Sequence, residues 1–290
     1  MLRPGRSLFA LCALALSAIC LAGESRAATA CVWKVTRPDG KTVYFGGSVH
    51  ALQKSDYPLP AAYMRAFDAS SRIAFEVDAK ALEESSKSLV QNGKYRQGDS
   101  LKNHVDARTY AYMRRLFELM NVSEKSFSQY RPWFIVLMLQ STSLHHSSPM
   151  AGVDEFFMKR VAQRSMPVVG LESVKEHAWV YSGLTDRESE ILLLSTFIPT
   201  GTGRANDDIM KAWHRGDAEA LARMMERDSQ EFPAFNERLL GARNRAWIPK
   251  IDNFLESGHT YFVVVGAAHF GGSKGLLALM RAKGYQIEQL

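Results

Sequence analysis

Val32-Trp33-Lys34-Val35-Thr36 alternates apolar and polar side chains, and Thr42-Val43-Tyr44-Phe45 resumes the alternation after Pro38-Asp39-Gly40. Period-two runs on either side of a turn tripeptide predict a β-hairpin. Gly46-Gly47-Ser48-Val49-His50 follows it directly. Pro60 sits where a short helix over 61–69 would begin. Ile73-Ala74-Phe75-Glu76-Val77-Asp78 reads as a further strand, apolar until an acid appears near its end. Beyond it the period becomes helical. Tyr110, Met113, Phe117 and Met120 share one face, and Trp133 to Leu139 is apolar on nearly all sides, the mark of a buried helix. Thr185-Asp186-Arg187-Glu188 is a capping box ahead of Ile191 to Leu194, and Asp217 is placed to cap 218–227. Met166 to Glu172 interrupts this region as a short strand, again ending in an acid.

Tyr261-Phe262-Val263-Val264-Val265 is β-branched and apolar on both faces, as in a strand buried in a parallel sheet. Gly266-Ala267-Ala268-His269 ends it. Ser273 is expected to cap a helix over 274–282 that Gly284 closes, and Tyr285-Gln286-Ile287 reads as a last strand. The pattern predicts an α/β fold with its core in residues 28–80 and 241–290 and a mostly helical insertion over about 82–240. That insertion is expected to lie over the strand ends. Trp133, Met138, Phe156 and Trp213 would then either wall a cleft or fill the insertion's own core.

Residues 1–27 stand apart. Arg3 and Arg6 precede an apolar run from Leu8 to Ala22, and Ser25-Arg26-Ala27 offers small residues at a cleavage site. This reads as a secretory signal peptide, so the mature chain is expected to begin near Ala28, in an exported, periplasmic compartment. The run is about 15 residues where a membrane span needs about 20, and no later segment is expected to be long and apolar enough to span one. Removing Arg3, Arg6, Arg26 and Glu24 lowers the net charge of +6 by two. That is too mild a balance to argue for nucleic acid. Only Cys31 of the three cysteines then remains, which excludes an internal disulfide. With 46% hydrophobic and 23% charged residues, whole-chain disorder is excluded as well.

Candidate chemistry lies in a pattern that occurs twice. Gly47-Ser48-Val49-His50 and Gly266-Ala267-Ala268-His269 each follow a predicted strand. Ligands of open α/β sheets bind outside the carboxyl ends of the strands. Two such loops on neighbouring strands would bring His50 and His269 together, with Glu76 from the end of a third. Two imidazoles and a carboxylate suit a divalent metal ion that keeps positions open for water or substrate. Without a metal the same groups suit general acid–base work. Asn244 and Arg243 precede the last core strand, where Asn244 could hydrogen-bond a ligand or a substrate carbonyl, or the two could be a helix-surface pair. Asp154 reads either as a helix cap or as a site residue, and Glu172 as a second strand-end acid behind the ligands. Gly47 and Gly266 allow close backbone approach. His104, His145, His146, His177, His214 and His259 lack such a context.

These motifs resemble the TraB/PrgY/GumN family, to which the Tiki proteases are related. The resemblance rests on Gly47-Ser48-Val49-His50, Tyr57-Pro58-Leu59-Pro60, Ile73 to Asp78, Gly152-Val153-Asp154, Val168 to Glu172, Arg243 to Ile248 and Gly266-Ala267-Ala268-His269. It implies a fold like those of the haem-binding ChaN and erythromycin-esterase proteins. It also implies a metal-dependent hydrolase, peptidase-like, with His50, Glu76 and His269 as the defining residues and Mn, Co or Zn as the ion. Two other roles stand beside it: a haem or small-ligand carrier of the ChaN type, and a factor in envelope or exopolysaccharide assembly. The expected partner is a peptide or small-molecule substrate.

Overall fold

The computed structural model describes residues 29–147, 150–197, 204–230 and 232–290. The segment read as a signal peptide lies outside them, as do the side chains of His145 and His146. The strands are β1 (Val32–Thr36), β2 (Thr42–Ser48), β3 (Ala51–Leu52), β4 (Arg72–Val77), β5 (Met150–Ala151), β6 (Val168–Glu172), β7 (Tyr261–Gly266) and β8 (Gln286–Gln289). Six of them form one mixed sheet in the order β6-β4-β7-β2-β1-β8, and β3 pairs with β5 separately. The predicted hairpin is β1–β2, turned at Gly40, whose φ of 87° suits a residue without a side chain.

The centre of the sheet is parallel. β7 pairs with β2 on one side and with β4 on the other, and β4 pairs with β6. Ser48 lies opposite Gly266, and Phe75 opposite Val264. The register therefore puts the segments leading to His50, Glu76, Glu172 and His269 at one edge. β7 is buried along Tyr261–Val265, as its two-sided apolar run requires.

The main core packs Phe45, Phe67, Phe157, Phe262, Phe270 and Trp213 around this sheet. It draws on much of the span read as an insertion. β6 is an edge strand of the sheet, and Val153, Phe157, Val161 and Trp213 belong to the same core. Trp213 lines no cleft: it is buried, and its Nε1 donates to the Gly47 carbonyl at 2.9 Å. A second core unites Leu101, Met113, Phe117, Phe127, Ile135, Val136 and Leu193. The helix Pro132–Ser147 that carries Ile135 and Val136 is the buried helix of the apolar run. Met120 leaves the predicted face. It caps the helix Ala107–Leu119 and is exposed.

Capping follows the local rules at two of three sites. Thr185 and Glu188 close a reciprocal box, and Asp217 accepts from Ala220 N. Ser273 does not cap: Gly275 holds that position, and the helix is the shorter Leu276–Ala282.

His104 stacks on Tyr95 of the second core and is far from an idle surface group. Its Nδ1 meets Asp186 and its Nε2 meets Asp99, each at 2.8 Å, while Tyr95 stacks on the ring at 4.3 Å. Burial opposes the charged imidazole, but the hydrogen bonds to Asp186 and Asp99 outweigh it and raise the pKa. A raised folded-state pKa stabilises the fold fully below the unfolded value of about 6.5 and loses that contribution as pH rises through the folded value. Wild type is therefore expected to lose stability relative to His104→Gln as pH rises above about 6.5, read from urea midpoints on both sides of that value. Parallel pH profiles would remove the ion-pair account.

Candidate active site

Four elements build the site. β2 delivers His50, β4 delivers Glu76, β6 delivers Glu172, and β7 runs through Gly266 into the 3-10 turn Ala267–His269. The helix Ala242–Glu256, entered through a π-turn at Glu237–Gly241, closes over these ends and buries Arg243, Asn244 and Trp247 on one face. The helix Val174–Ser182 starts immediately after Glu172 on a Ser173–Glu176 capping box and carries His177.

Arg243 is the hub. Its Nε donates to Glu172 Oε2 at 2.9 Å and its Nη2 to Glu172 Oε1 at 2.6 Å, the fork-on-carboxylate geometry that only a guanidinium provides. Nη2 also donates to Glu76 Oε2 at 2.5 Å, and Nη1 to the Leu239 carbonyl at 3.0 Å. Trp247 lies under the guanidinium at 4.7 Å and donates from Nε1 to Glu172 Oε2 at 3.3 Å. Glu76 uses its other oxygen, Oε1, to accept from Gly266 N–H at 2.9 Å.

His269 is 3% exposed and tightly specified. Asn244 Nδ2 donates to the carbonyls of His269 and Lys274 at 3.2 and 2.9 Å, so its Oδ1 must face the ring. His269 Nδ1–H then donates to that oxygen at 2.6 Å. The lone pair is left on Nε2, which lies 3.8 Å from Glu76 Oε1 and accepts from Arg243 Nη1 at 3.2 Å. Burial pushes the pKa of His269 down to about 4, with Arg243 reinforcing and Glu76 opposing. The ring is neutral at pH 7. Burial acts on Glu76 in the opposite sense, towards the neutral acid, but the charges beside it and the Gly266 N–H outweigh it and hold the carboxylate well below its usual range. With His269 neutral, Arg243 supplies that charge.

His50 differs from its sequence twin. Its side chain is 69% exposed, and Nδ1 lies 3.4 Å from Asp154 Oδ2. The Asp154 carboxylate beside it raises its pKa, and the charge of Glu76 adds to the rise. Of the predicted residues, Glu76, His269, Asn244, Arg243 and Glu172 join one contact network. His50 and Asp154 form a pair beside it, within electrostatic reach of Glu76. Gly266 serves as a hydrogen-bond donor. Gly47 serves packing: a Cβ there would lie 3.0 Å from the Cβ atoms of Cys31 and Ala267. The cap role weighed for Asp154 is not realised, because Gly152 occupies the N-cap position of the helix Val153–Arg164.

His177 is the residue that the motif reading passed over. Its Nδ1 meets Glu172 Oε1 at 2.7 Å. The available signal was the capping box that starts a helix one residue after a strand-end acid, which turns His177 back towards that acid. Glu76, Glu172 and His177 bring ligand atoms within 4.8 Å of one another, a spacing that suits a metal ion. Arg243 Nη2, however, stands 2.5 Å from Glu76, 2.6 Å from Glu172 and 3.3 Å from His177, where such an ion would sit. Of the residues expected to hold an ion, Glu76 Oε1 and the neutral His269 Nε2 lie 3.8 Å apart, Arg243 contacts both residues, and His50 stands beside them with Asp154. A neutral imidazole whose other nitrogen is anchored, next to an ionised carboxylate, fits a divalent ion.

Residues 31–289 match the TraB/PrgY/gumN family. The chain is 22% identical to the metalloprotease TIKI1 of Homo sapiens, over 89% of its own length and 61% of that protein's. It is 24% identical to the metalloprotease TIKI2 of Danio rerio, covering 89% and 60%. An uncharacterized protein of Treponema pallidum is 21% identical, covering 87% and 80%. The chain thus spans about 60% of the length of the Tiki relatives. No solved structure matches it. With the family pattern running through nearly all the described residues and its strand-end motifs gathered at one sheet edge, the chain belongs to the TraB/PrgY/gumN family.

Proposed function

We propose that the protein is an exported, periplasmic hydrolase that uses a divalent metal ion, Mn, Co or Zn, to cleave a peptide or amide bond. The fold proposed with it is of the ChaN and erythromycin-esterase kind. The observation that carries the reading is the state of His269: buried, neutral, and held through Nδ1 by Asn244, with Nε2 turned towards Arg243 and 3.8 Å from the ionised Glu76. The metalloprotease names of the Tiki relatives support the same chemistry.

His50, Glu76 and His269 would hold the ion, which supplies a bound water of lowered pKa and polarises a carbonyl. Asn244 keeps His269 in the ligand tautomer. Gly266 N–H and Arg243 keep Glu76 ionised and oriented. Arg243 also neutralises Glu172, so that the buried end of the site carries a paired charge and not a bare carboxylate. The exposed ring of His50 faces solvent, where substrate enters.

The test is activity on a peptide library. Chelator should abolish cleavage, a divalent ion should restore it, and His269→Ala should lose both cleavage and bound ion. Chelator-insensitive cleavage would sink the metal. A Soret band in protein purified without a histidine tag, with no cleavage, would favour the haem-carrier reading.

A further inference from the structure

Three histidines at this end of the sheet turn Nδ1 towards a protein oxygen. His269 uses Asn244 Oδ1 at 2.6 Å, His177 uses Glu172 Oε1 at 2.7 Å, and His50 faces Asp154 Oδ2 at 3.4 Å. The first two arrangements are complete: Asn244 donates to two carbonyls, and Glu172 is clamped by Arg243 and Trp247. Asp154 is the exception. Its Oδ2 is buried and has no hydrogen-bond partner among the described residues. An acceptor removed from water and left unpaired is costly, and the His50 ring nitrogen is within reach.

The backbone holds this pair in register from both sides. Val153 N–H donates to the Val49 carbonyl at 3.1 Å. On the other side of His50, Ala51 pairs with Ala151 and Leu52 with Met150, and the Tyr57 hydroxyl donates to the Ala151 carbonyl at 2.7 Å. Gly152 passes so close that a Cβ there would lie 2.5 Å from the His50 carbonyl oxygen. Asp154 is not spent on its own helix, whose N-cap Gly152 makes no side-chain cap. A carboxylate oxygen with no other partner among the described residues has been brought to a histidine by strand pairing.

We propose that Asp154 is a positioning residue for His50. It accepts Nδ1–H, holds the ring in the Nδ1–H tautomer, and leaves the Nε2 lone pair free for chemistry at the cleft. The 3.4 Å separation closes by a small rotation of either side chain, and such contacts are often long before substrate or ligand is bound. The role deepens the proposed hydrolase, and one of its two readouts rests on that reading. The two G-x-x-H motifs would then be alike in outcome and different in means, with an amide orienting the buried histidine and a carboxylate the exposed one.

The first readout needs no metal and no substrate. Two-bond nitrogen–proton correlation spectra of the labelled protein, assigned with His50→Ala and recorded above the titration range, report the tautomer of His50 directly. Wild type is expected in the Nδ1–H form. Asp154→Ala should shift His50 towards the Nε2–H form that free histidine prefers, whereas Asp154→Asn, which keeps an acceptor oxygen, should retain most of the wild-type signal. The second readout is calorimetric binding of zinc or manganese alone. Asp154→Ala should weaken it about 10- to 100-fold, with Asp154→Asn in between. An Nε2–H wild-type ring, or a tautomer unmoved by Asp154→Ala, would overturn the positioning role. The expected tautomer shift, together with no ion binding by any form, would remove the metal reading and leave this one standing. If Asp154→Ala does not fold, the wild-type and Asp154→Asn spectra still decide.

Discussion

Replacing Arg243 with alanine is expected to cost about 3–5 kcal/mol of folding stability, because it strands two partly or fully buried carboxylates at once. Glu172 has a side chain only 5% exposed, and Glu76 one 19% exposed, and Arg243 contacts both. Removing a whole ion pair and filling its volume is often harmless, whereas removing one partner leaves an uncompensated charge in a poorly solvated place. The same deletion frees the Leu239 carbonyl and takes the cation from the face of Trp247. Both carboxyls would then have their pKa values pushed up by burial, and the Nε2 of His269 would face protonating acids in place of a guanidinium. Arg243→Lys is expected to recover only a minor part, since an ammonium cannot span Glu172 and Glu76 in one plane. Urea unfolding at pH 7 measures both. A loss for Arg243→Ala below about 1 kcal/mol, the usual worth of a surface pair, would show that the network is solvated in solution.

The second large effect is steric. Gly152→Ala places a Cβ 2.5 Å from the His50 carbonyl oxygen and 2.6 Å from that of Val49. These are backbone atoms and cannot swing aside. One side of the contact is the strand end carrying His50, and the other opens the helix Val153–Arg164, whose Val153 and Phe157 are wholly buried. Neither can retreat without breaking the Val153–Val49 hydrogen bond or opening the core. Overpacking of this kind costs about 1–3 kcal/mol, and this site belongs at the upper end. Because the displaced segment holds His50 opposite Asp154, activity should fall further than stability, which separates this variant from one that merely loosens the fold. Thermal unfolding and peptide cleavage measured on the same preparation check the pairing of effects. A Tm within a degree or two of wild type would mean the strand end is freer to move than its contacts indicate.

Local sequence determined the elements and their polarity. Alternation over Val32–Phe45 specified the hairpin, and the β-branched run of Tyr261–Val265 specified a strand buried on both faces. The caps at Thr185 and Asp217 located helix starts, because a cap depends on neighbours three residues away. Parallel pairing then did the rest for His50, Glu76 and His269. Strands that run the same way end on the same side, so a motif at a strand's end is placed by topology alone. What the sequence by itself did not determine was the direction of each side chain. Arg243 and Glu172 are 71 residues apart, and Arg243 and Glu76 are 167 apart; nothing in either neighbourhood announces the other. The two G-x-x-H histidines look equivalent in the chain, yet one became a buried neutral ring on an amide and the other an exposed ring beside a carboxylate. The difference arises because the turn after β7 is roofed by the helix Ala242–Glu256, while the turn after β2 borders the shorter β3–β5 pairing. His177, without a motif of its own, entered the site because a helix begun directly after β6 must fold back over the acid that ends the strand. Burial and partner choice are set by which elements pack together, and only the tertiary structure decides that.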